Sequence, residues 1–272
     1  MIRVESPIQI SESSRLWIGS VDELPASFPD EGSKVPAVHC LSPAEQSRLH
    51  RYRVPQKKWQ FLLSRQFARD VLDRHFGTAG VRLETTPGGR PILGGDTRAH
   101  GCSVSVSHSE CLFAMVIGTE GTAVGVDIEA AERLNAAAFQ SLLHHNASRD
   151  SEQTSPRHTE DQLRLQWTGR EAMWKALGGP VGYTVLQMPV TASSMGLSFC
   201  GDHPGLTNTR VGLFGFQSGF PSLLQSAIPI NVSSALTQSF CGCVVELKRI
   251  GSIKLGSVAS LGHWNLRSSI AD

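Results

Sequence analysis

The sequence predicts an α+β protein made of two halves of comparable size. Three observations carry that expectation. The element signals run helix then strands in the first part, and strand, helices, then strands in the second. The segment from Gly118 to Gly121 reads as a joint, which puts one half at 1–120 and the other at 121–272. The 272 residues are 40 % hydrophobic and 18 % charged, enough apolar content for a packed core and too little charge for a disordered chain.

Each element has a local reason. Leu16 to Val21 reads as a short strand, and the Pro, Asp, Glu and Ser of Asp22 to Pro36 read as loop. Ser42-Pro43-Ala44-Glu45 is a helix start, with Ser at the cap, Pro at the first helical position and Glu at the third. Pro55 interrupts the pattern. A stronger helix is expected from Gln56 to Phe76, where Trp59, Leu62, Leu63, Phe67, Val71 and Leu72 form an apolar stripe and Gly77 ends it. Pro87 to Leu93 begins as a turn and ends extended. Cys102 to Ser107, Leu112 to Gly118 and Ala123 to Glu129 carry strand signals, with His108 at the end of the first. Helices are expected at Arg133 to His145 and Asp161 to Leu177, with a polar loop from Asn146 to Thr159 between them. Thr191 to Phe240 holds only two formally charged residues, Asp202 and Arg210, and has room for short strands without a strong pattern. Cys241 to Leu247 is a clearer strand.

Lys plus Arg is 25 and Asp plus Glu is 24, a formal net charge of +1, which argues against a nonspecific nucleic-acid binder. The balance hides a segregation. Leu41 to Arg69 holds seven basic residues (Arg48, Arg51, Arg53, Lys57, Lys58, Arg65, Arg69) and one acid, Glu45; Thr119 to Asp161 holds eight acids and three bases. Either one region holds an anion and the other a cation, or two solvated faces differ in sign. The longest apolar run, Leu112 to Ile117, is far below the ~20 residues of a bilayer span. The N-terminus carries no apolar stretch of signal length. A cytoplasmic protein with six reduced cysteines is therefore expected. Cys241 and Cys243 would share a strand face, but two thiols alone make a poor zinc site.

Four short segments carry chemistry. In Val124-Gly125-Val126-Asp127-Ile128-Glu129, a strand would project Asp127 and Glu129 on one face. Two adjacent carboxylates mark either a divalent metal or a solvated strand end. In the helix around Trp167 to Gly178, Glu171 and Lys175 lie at i and i+4. Such a pair is often a surface ion pair, but Trp167, Met173, Trp174 and Leu177 around it suggest a less exposed one. Ser103-Val104-Ser105-Val106-Ser107-His108-Ser109 alternates as a strand, and its His is either a packed residue or a phosphate partner. Gly89-Arg90-Pro91 holds a basic residue in a turn.

In combination and order, these segments resemble the 4'-phosphopantetheinyl transferases of the larger, pseudo-dimeric type that activates surfactin-like synthetases. The match runs through GRPIL, SVSHS, GVDIE and WTGREAMWKALG. The basic run LSPAEQSRLHRYRVPQKKWQFLLSRQFARDVL, from Leu41 to Leu72, is similar to that family's N-terminal helical region. The resemblance covers about residues 41–180 and is poor after about 190.

The resemblance implies two similar α+β halves with the active site in the cleft between them. Its activity is transfer of 4'-phosphopantetheine from coenzyme A to a serine of an apo acyl or peptidyl carrier protein, releasing adenosine 3',5'-bisphosphate. By motif, Asp127, Glu129 and Glu171 are implied as magnesium ligands, and Glu171 and Lys175 as catalytic, Lys175 on the phosphates. Ser107 and His108 would touch the coenzyme A nucleotide, Arg90 is the basic residue of the G-[KR]-P turn, and Arg48 and Arg65 would reach the 3'-phosphate. Magnesium is the implied cofactor and coenzyme A the co-substrate. A monomer is expected, without nucleic-acid or membrane partners, serving fatty acid, polyketide or nonribosomal peptide biosynthesis. The chemistry agrees, because a diphosphate with a 3'-phosphate needs cations, and magnesium prefers hard oxygens. The expected step is attack of the carrier serine on the β-phosphate, with Glu171, directly or through a metal-bound water, as base.

Two departures stand out. Arg170 precedes Glu171 where the family usually has Lys, and Glu45 stands where a phosphate-contacting base is sometimes found. Rival readings are a catalytically degenerate coenzyme A-binding protein, a magnesium-dependent phosphohydrolase, and a nonenzymatic interaction module.

Overall fold

Strand-forming alternation in this chain is resolved into two faces, and the two faces organise the molecule. The computed structural model describes residues 2–29, 38, 41–77, 80–86, 89–130, 160–178, 190–193, 196–199, 209–216 and 240–248. Its elements in order are β1 (Arg3–Val4), β2 (Ile8–Ser11), β3 (Ser14–Ser20), α1 (Pro43–Arg51), α2 (Pro55–Phe76), β4 (Arg82–Thr85), β5 (Pro91–Gly94), a 3-10 turn (Thr97–Ala99), β6 (Ser103–Ser109), β7 (Leu112–Gly118), β8 (Thr122–Ala130), α3 (Glu160–Ala176), β9 (Val190–Ser193), β10 (Gly196–Phe199), β11 (Thr209–Phe216) and β12 (Phe240–Lys248). The fold is therefore mixed α and β. Among the described residues no helix is long and apolar enough to cross a membrane.

β7 is buried along its whole length because it runs between β3 and β6, antiparallel to both. β3 also pairs with β1 and β2. The alternation of β7 then feeds two cores. Phe113, Met115 and Ile117 meet Phe67, Ala68, Val71 and Leu72 of α2. Leu112, Ala114 and Val116 meet Val124, Val126 and Ile128 of β8 and Val244 of β12. β8 belongs to a second antiparallel sheet in the order β11-β12-β8, and α3 packs on β8 and β12. The described layers thus run helix, sheet, sheet, helix. β4–β5 and β9–β10 are separate hairpins.

α1 begins where its local signals place it. Ser42 Oγ accepts from the Glu45 N–H, and Glu45 Oε2 accepts from the Ser42 N–H, closing a capping box with Pro43 behind it. Pro55 starts α2 rather than merely preceding it, since its missing N–H costs nothing in the first turn. β6 runs through His108 to Ser109, so His108 lies inside the strand, opposite Phe113, and not at its end. β1, β2 and β4 are additions to the sequence expectation, short strands with weak alternation. The helix expected at 133–145 and the loop expected at 146–159 lie outside the described residues. Short strands do occur within 190–216, at β9, β10 and β11. Cys102 and Cys111 are free thiols, and the Cys243 thiol donates to the Val244 carbonyl at 3.8 Å.

Candidate functional site

The site forms where β6, β8 and α3 meet. β6 and β8 are not joined by a backbone ladder. Instead a row of serines on one face of β6 bridges them. The N–H groups of Val126, Ile128 and Ala130 donate to the hydroxyls of Ser105, Ser107 and Ser109, at 3.1, 3.4 and 3.0 Å. Ser103 Oγ donates to the Thr122 carbonyl. Ser105, Ser107 and Ser109 thus stand in for the carbonyls that a neighbouring strand would have supplied, and Ser103 for an N–H.

β8 turns Val126 and Ile128 into the core between the sheets, which leaves Gly125, Asp127 and Glu129 on the face toward α3. Asp127 is 2 % exposed. Its Oδ1 accepts from Ser107 Oγ at 2.7 Å and from Lys175 Nζ at 2.6 Å. Lys175 Nζ also donates to the Val126 carbonyl and to Ser107 Oγ, both at 3.2 Å. Glu171 Oε2 lies 3.4 Å from the same ammonium, one turn back on α3. The Glu171–Lys175 pair is therefore half-buried against β8 and not a solvent-facing pair.

The electrostatics follow from this crowding. Burial, then the charge of Asp127 and a hydrogen bond shared with it, push the Glu171 carboxyl up to about 8, against the pull of Lys175; Glu129 adds to the rise. Burial would lower the Lys175 ammonium, but Asp127 and Glu171 outweigh it and hold it above the ordinary lysine value. Desolvation lowers the guanidinium of Arg170, the residue before Glu171 in the chain.

Arg90 reaches the same region from the turn before β5. Its turn is closed by Thr86, whose N–H donates to the Arg90 carbonyl at 2.9 Å and whose Oγ1 accepts from the Arg90 N–H at 3.1 Å. Its guanidinium lies over Gly178, just past α3; a Cβ there would stand 2.5 Å from Nη1. With φ at +88°, Gly178 both turns the chain and makes room for that side chain.

Arg48 and Arg65 gather on α1 and α2. Their guanidinium carbons lie 5.5 and 5.1 Å from the centre of the Phe61 ring. Glu45 pairs with Arg65 at 3.2 Å and with Arg69 at 3.5 Å. Arg48 Nε donates to the Tyr52 hydroxyl at 3.3 Å. Burial, with help from Arg48, lowers Arg65 despite Glu45.

Asp127, Glu171, Lys175 and Ser107 therefore come together, with Arg90 at the end of α3. His108 does not join Ser107, because strand alternation turns it to the opposite face of β6. Glu129 projects from the α3 side of β8, and its Oε2 accepts from Ser109 Oγ at 2.9 Å. Ser109, Gly125 and Gly178 are contributors that the motifs did not single out. The even spacing of the β6 serines was visible in the sequence, but the strand they would face was not.

The magnesium implied by the resemblance is tested by the donors. They are hard oxygens, and Asp127 Oδ2 is buried without a hydrogen-bond partner among the described residues. Asp127 and Glu171 fit such an ion. Among the described residues no three His, Cys, Asp or Glu side chains stand ready as a metal cage. Lys175 fills the space between two of the carboxylates, and Glu129 is held by Ser109. No protein-family model matches the chain, and no curated protein matches it significantly.

Proposed function

We propose that this protein transfers 4'-phosphopantetheine from coenzyme A to a serine of an apo acyl or peptidyl carrier protein, with magnesium as cofactor. The observation that carries the reading is the buried Asp127–Lys175–Glu171 cluster, braced by Ser107 and approached by Arg90. These residues come from four of the segments on which the family resemblance rests. The two helix-on-sheet units are read as similar halves, at 1–120 and 121–272, with the reaction in the cleft between them.

Asp127, Glu171 and Glu129 would hold magnesium, which supplies positive charge for the diphosphate oxygens. Lys175 would bind the same phosphates and offset charge that builds on them during transfer. Arg90 would orient the nucleotide end of coenzyme A, and Arg48 and Arg65 would take the 3'-phosphate. Glu171 is the candidate base for the carrier serine proton. The chain is read as a monomeric cytoplasmic enzyme.

The test is a mass measurement. The protein is incubated with coenzyme A, magnesium and an apo carrier. The carrier is expected to gain the mass of phosphopantetheine, and a chelator is expected to stop the gain. Asp127→Ala and Glu171→Ala should each abolish transfer while circular dichroism stays native. Near-normal turnover in either variant sinks the site assignment. No gain on fatty-acid, polyketide or peptide carriers overturns the function.

A further inference from the structure

Three carboxylates, Asp127, Glu129 and Glu171, are gathered on or against the α3 face of β8, and one ammonium sits among them. Lys175 Nζ touches Asp127 Oδ1 at 2.6 Å and Glu171 Oε2 at 3.4 Å. It therefore bridges the two carboxyl groups. Asp127 Oδ2, in the same 2 %-exposed carboxylate, has no hydrogen-bond partner among the described residues. A buried carboxylate oxygen left in that state has unused affinity for a second cation. Two cations within reach of one poorly solvated carboxylate repel, so an ion at Asp127 and Glu171 and the ammonium in its present place exclude each other.

We propose that Lys175 is a resident cation that a divalent metal displaces: in the metal-free protein it clamps Asp127 to Glu171, and metal entry releases its amine from the carboxylates. The proposal rests on the reading of this cluster as a metal site and adds a sequence to it, in which the lysine becomes available to phosphate only once the metal is in place. Ser107 Oγ and the Val126 carbonyl, which also receive Lys175, are neutral partners and do not hold it against a charged competitor.

The experiment needs neither coenzyme A nor a carrier. Mn²⁺ is titrated calorimetrically into the wild type, Lys175→Gln and Lys175→Arg at about pH 8.5, where protons compete least for the carboxylates. Lys175→Gln should bind Mn²⁺ about tenfold or more tighter than wild type, and Lys175→Arg, which keeps the charge, should not. If the wild type binds and Lys175→Gln gains nothing, or if Lys175→Arg gains as much, displacement is overturned while the metal site stands. If none of the three binds, the metal site and the proposal fall together. Should Lys175→Gln fail to fold, reductive methylation of the wild type decides. Mass mapping should find Lys175 modified several-fold faster in magnesium than in chelator, and equal rates overturn the proposal.

Discussion

Gly125 sets how closely α3 lies on β8. A Cβ at this position would stand 1.9 Å from the Ala172 carbonyl oxygen and 2.6 Å from the Ala176 nitrogen. Both are backbone atoms, so no side chain can turn aside to make room. A glycine inside a strand weakens it in isolation, and here the close approach of a helix is the reason for it. Gly125→Ala should cost about 1–3 kcal/mol in urea unfolding. It should also lower transfer by more than the unfolded fraction explains, because Glu171 and Lys175 ride on the displaced helix. His75 is a second residue with a consequence. Its ring meets Trp17 edge-on at 5.0 Å, and its Nδ1 is buried without a hydrogen-bond partner among the described residues. Burial, with Arg15 of β3 adding, lowers its pKa from 6.5. The folded state then binds fewer protons than the unfolded one as pH falls below 6.5, so stability present above that value is lost on acidification. His75→Phe, which keeps a ring against Trp17, should lose less thermal stability than wild type between about pH 7.5 and about pH 5.5.

At the scale of elements, the β6–β8 seam is held by side chains. The Val126 N–H and Ser105 Oγ are both buried and have each other. Ser105→Ala leaves that N–H without an acceptor, an expected loss of about 1–3 kcal/mol in denaturant unfolding. A loss below the range of surface substitutions would argue that the seam is not maintained by these hydroxyls. The contrast with α1 is instructive. Its cap was legible because Ser42 and Glu45 answer each other three residues apart. The serine row was legible only as alternation. Its partner backbone is 19 to 21 residues away in the chain, and hydroxyl-to-backbone bonding leaves no mark on the partner's sequence. Glu45 combines both cases: its cap is local, while its pairing with Arg65 needed α2 folded back on α1.

At the scale of the molecule, Glu246 ties the N-terminal hairpin to the second sheet. It lies on β12, 1 % exposed, and its Oε2 accepts from Ser11 and Ser14 at the β2–β3 corner. Its Oε1 has no hydrogen-bond partner among the described residues. Removing both donors in Ser11→Ala/Ser14→Ala should destabilise the protein by about 3 kcal/mol or more, since a buried carboxylate loses its donors. Adding Glu246→Gln to that background should recover part of the loss by removing the charge. Urea titrations of the single background and the combined variant check both outcomes. β12 pairs Cys243 with Asp127, so the strand anchored by Glu246 is the sheet neighbour of the strand that carries the candidate site.

The sequence by itself determined the elements whose causes are short-range: the capped start of α1, the stripe of α2, the fully apolar β7, the Glu171–Lys175 turn and the shared face of Asp127 and Glu129. Periodicity assigns a residue to a face, and it does so wherever the repeat is 2 or 3.6 residues. Tertiary structure alone decided what each face meets. It put Lys175 on Asp127, 48 residues away, and gave Glu129 to Ser109. It separated His108 from Ser107, paired Arg65 with Glu45, and laid Arg90 over Gly178. The physical reason is the same in each case. A buried charge or hydroxyl takes the partner that packing brings within reach, and packing is set by the sheets and helices as assembled bodies rather than by spacing along the chain.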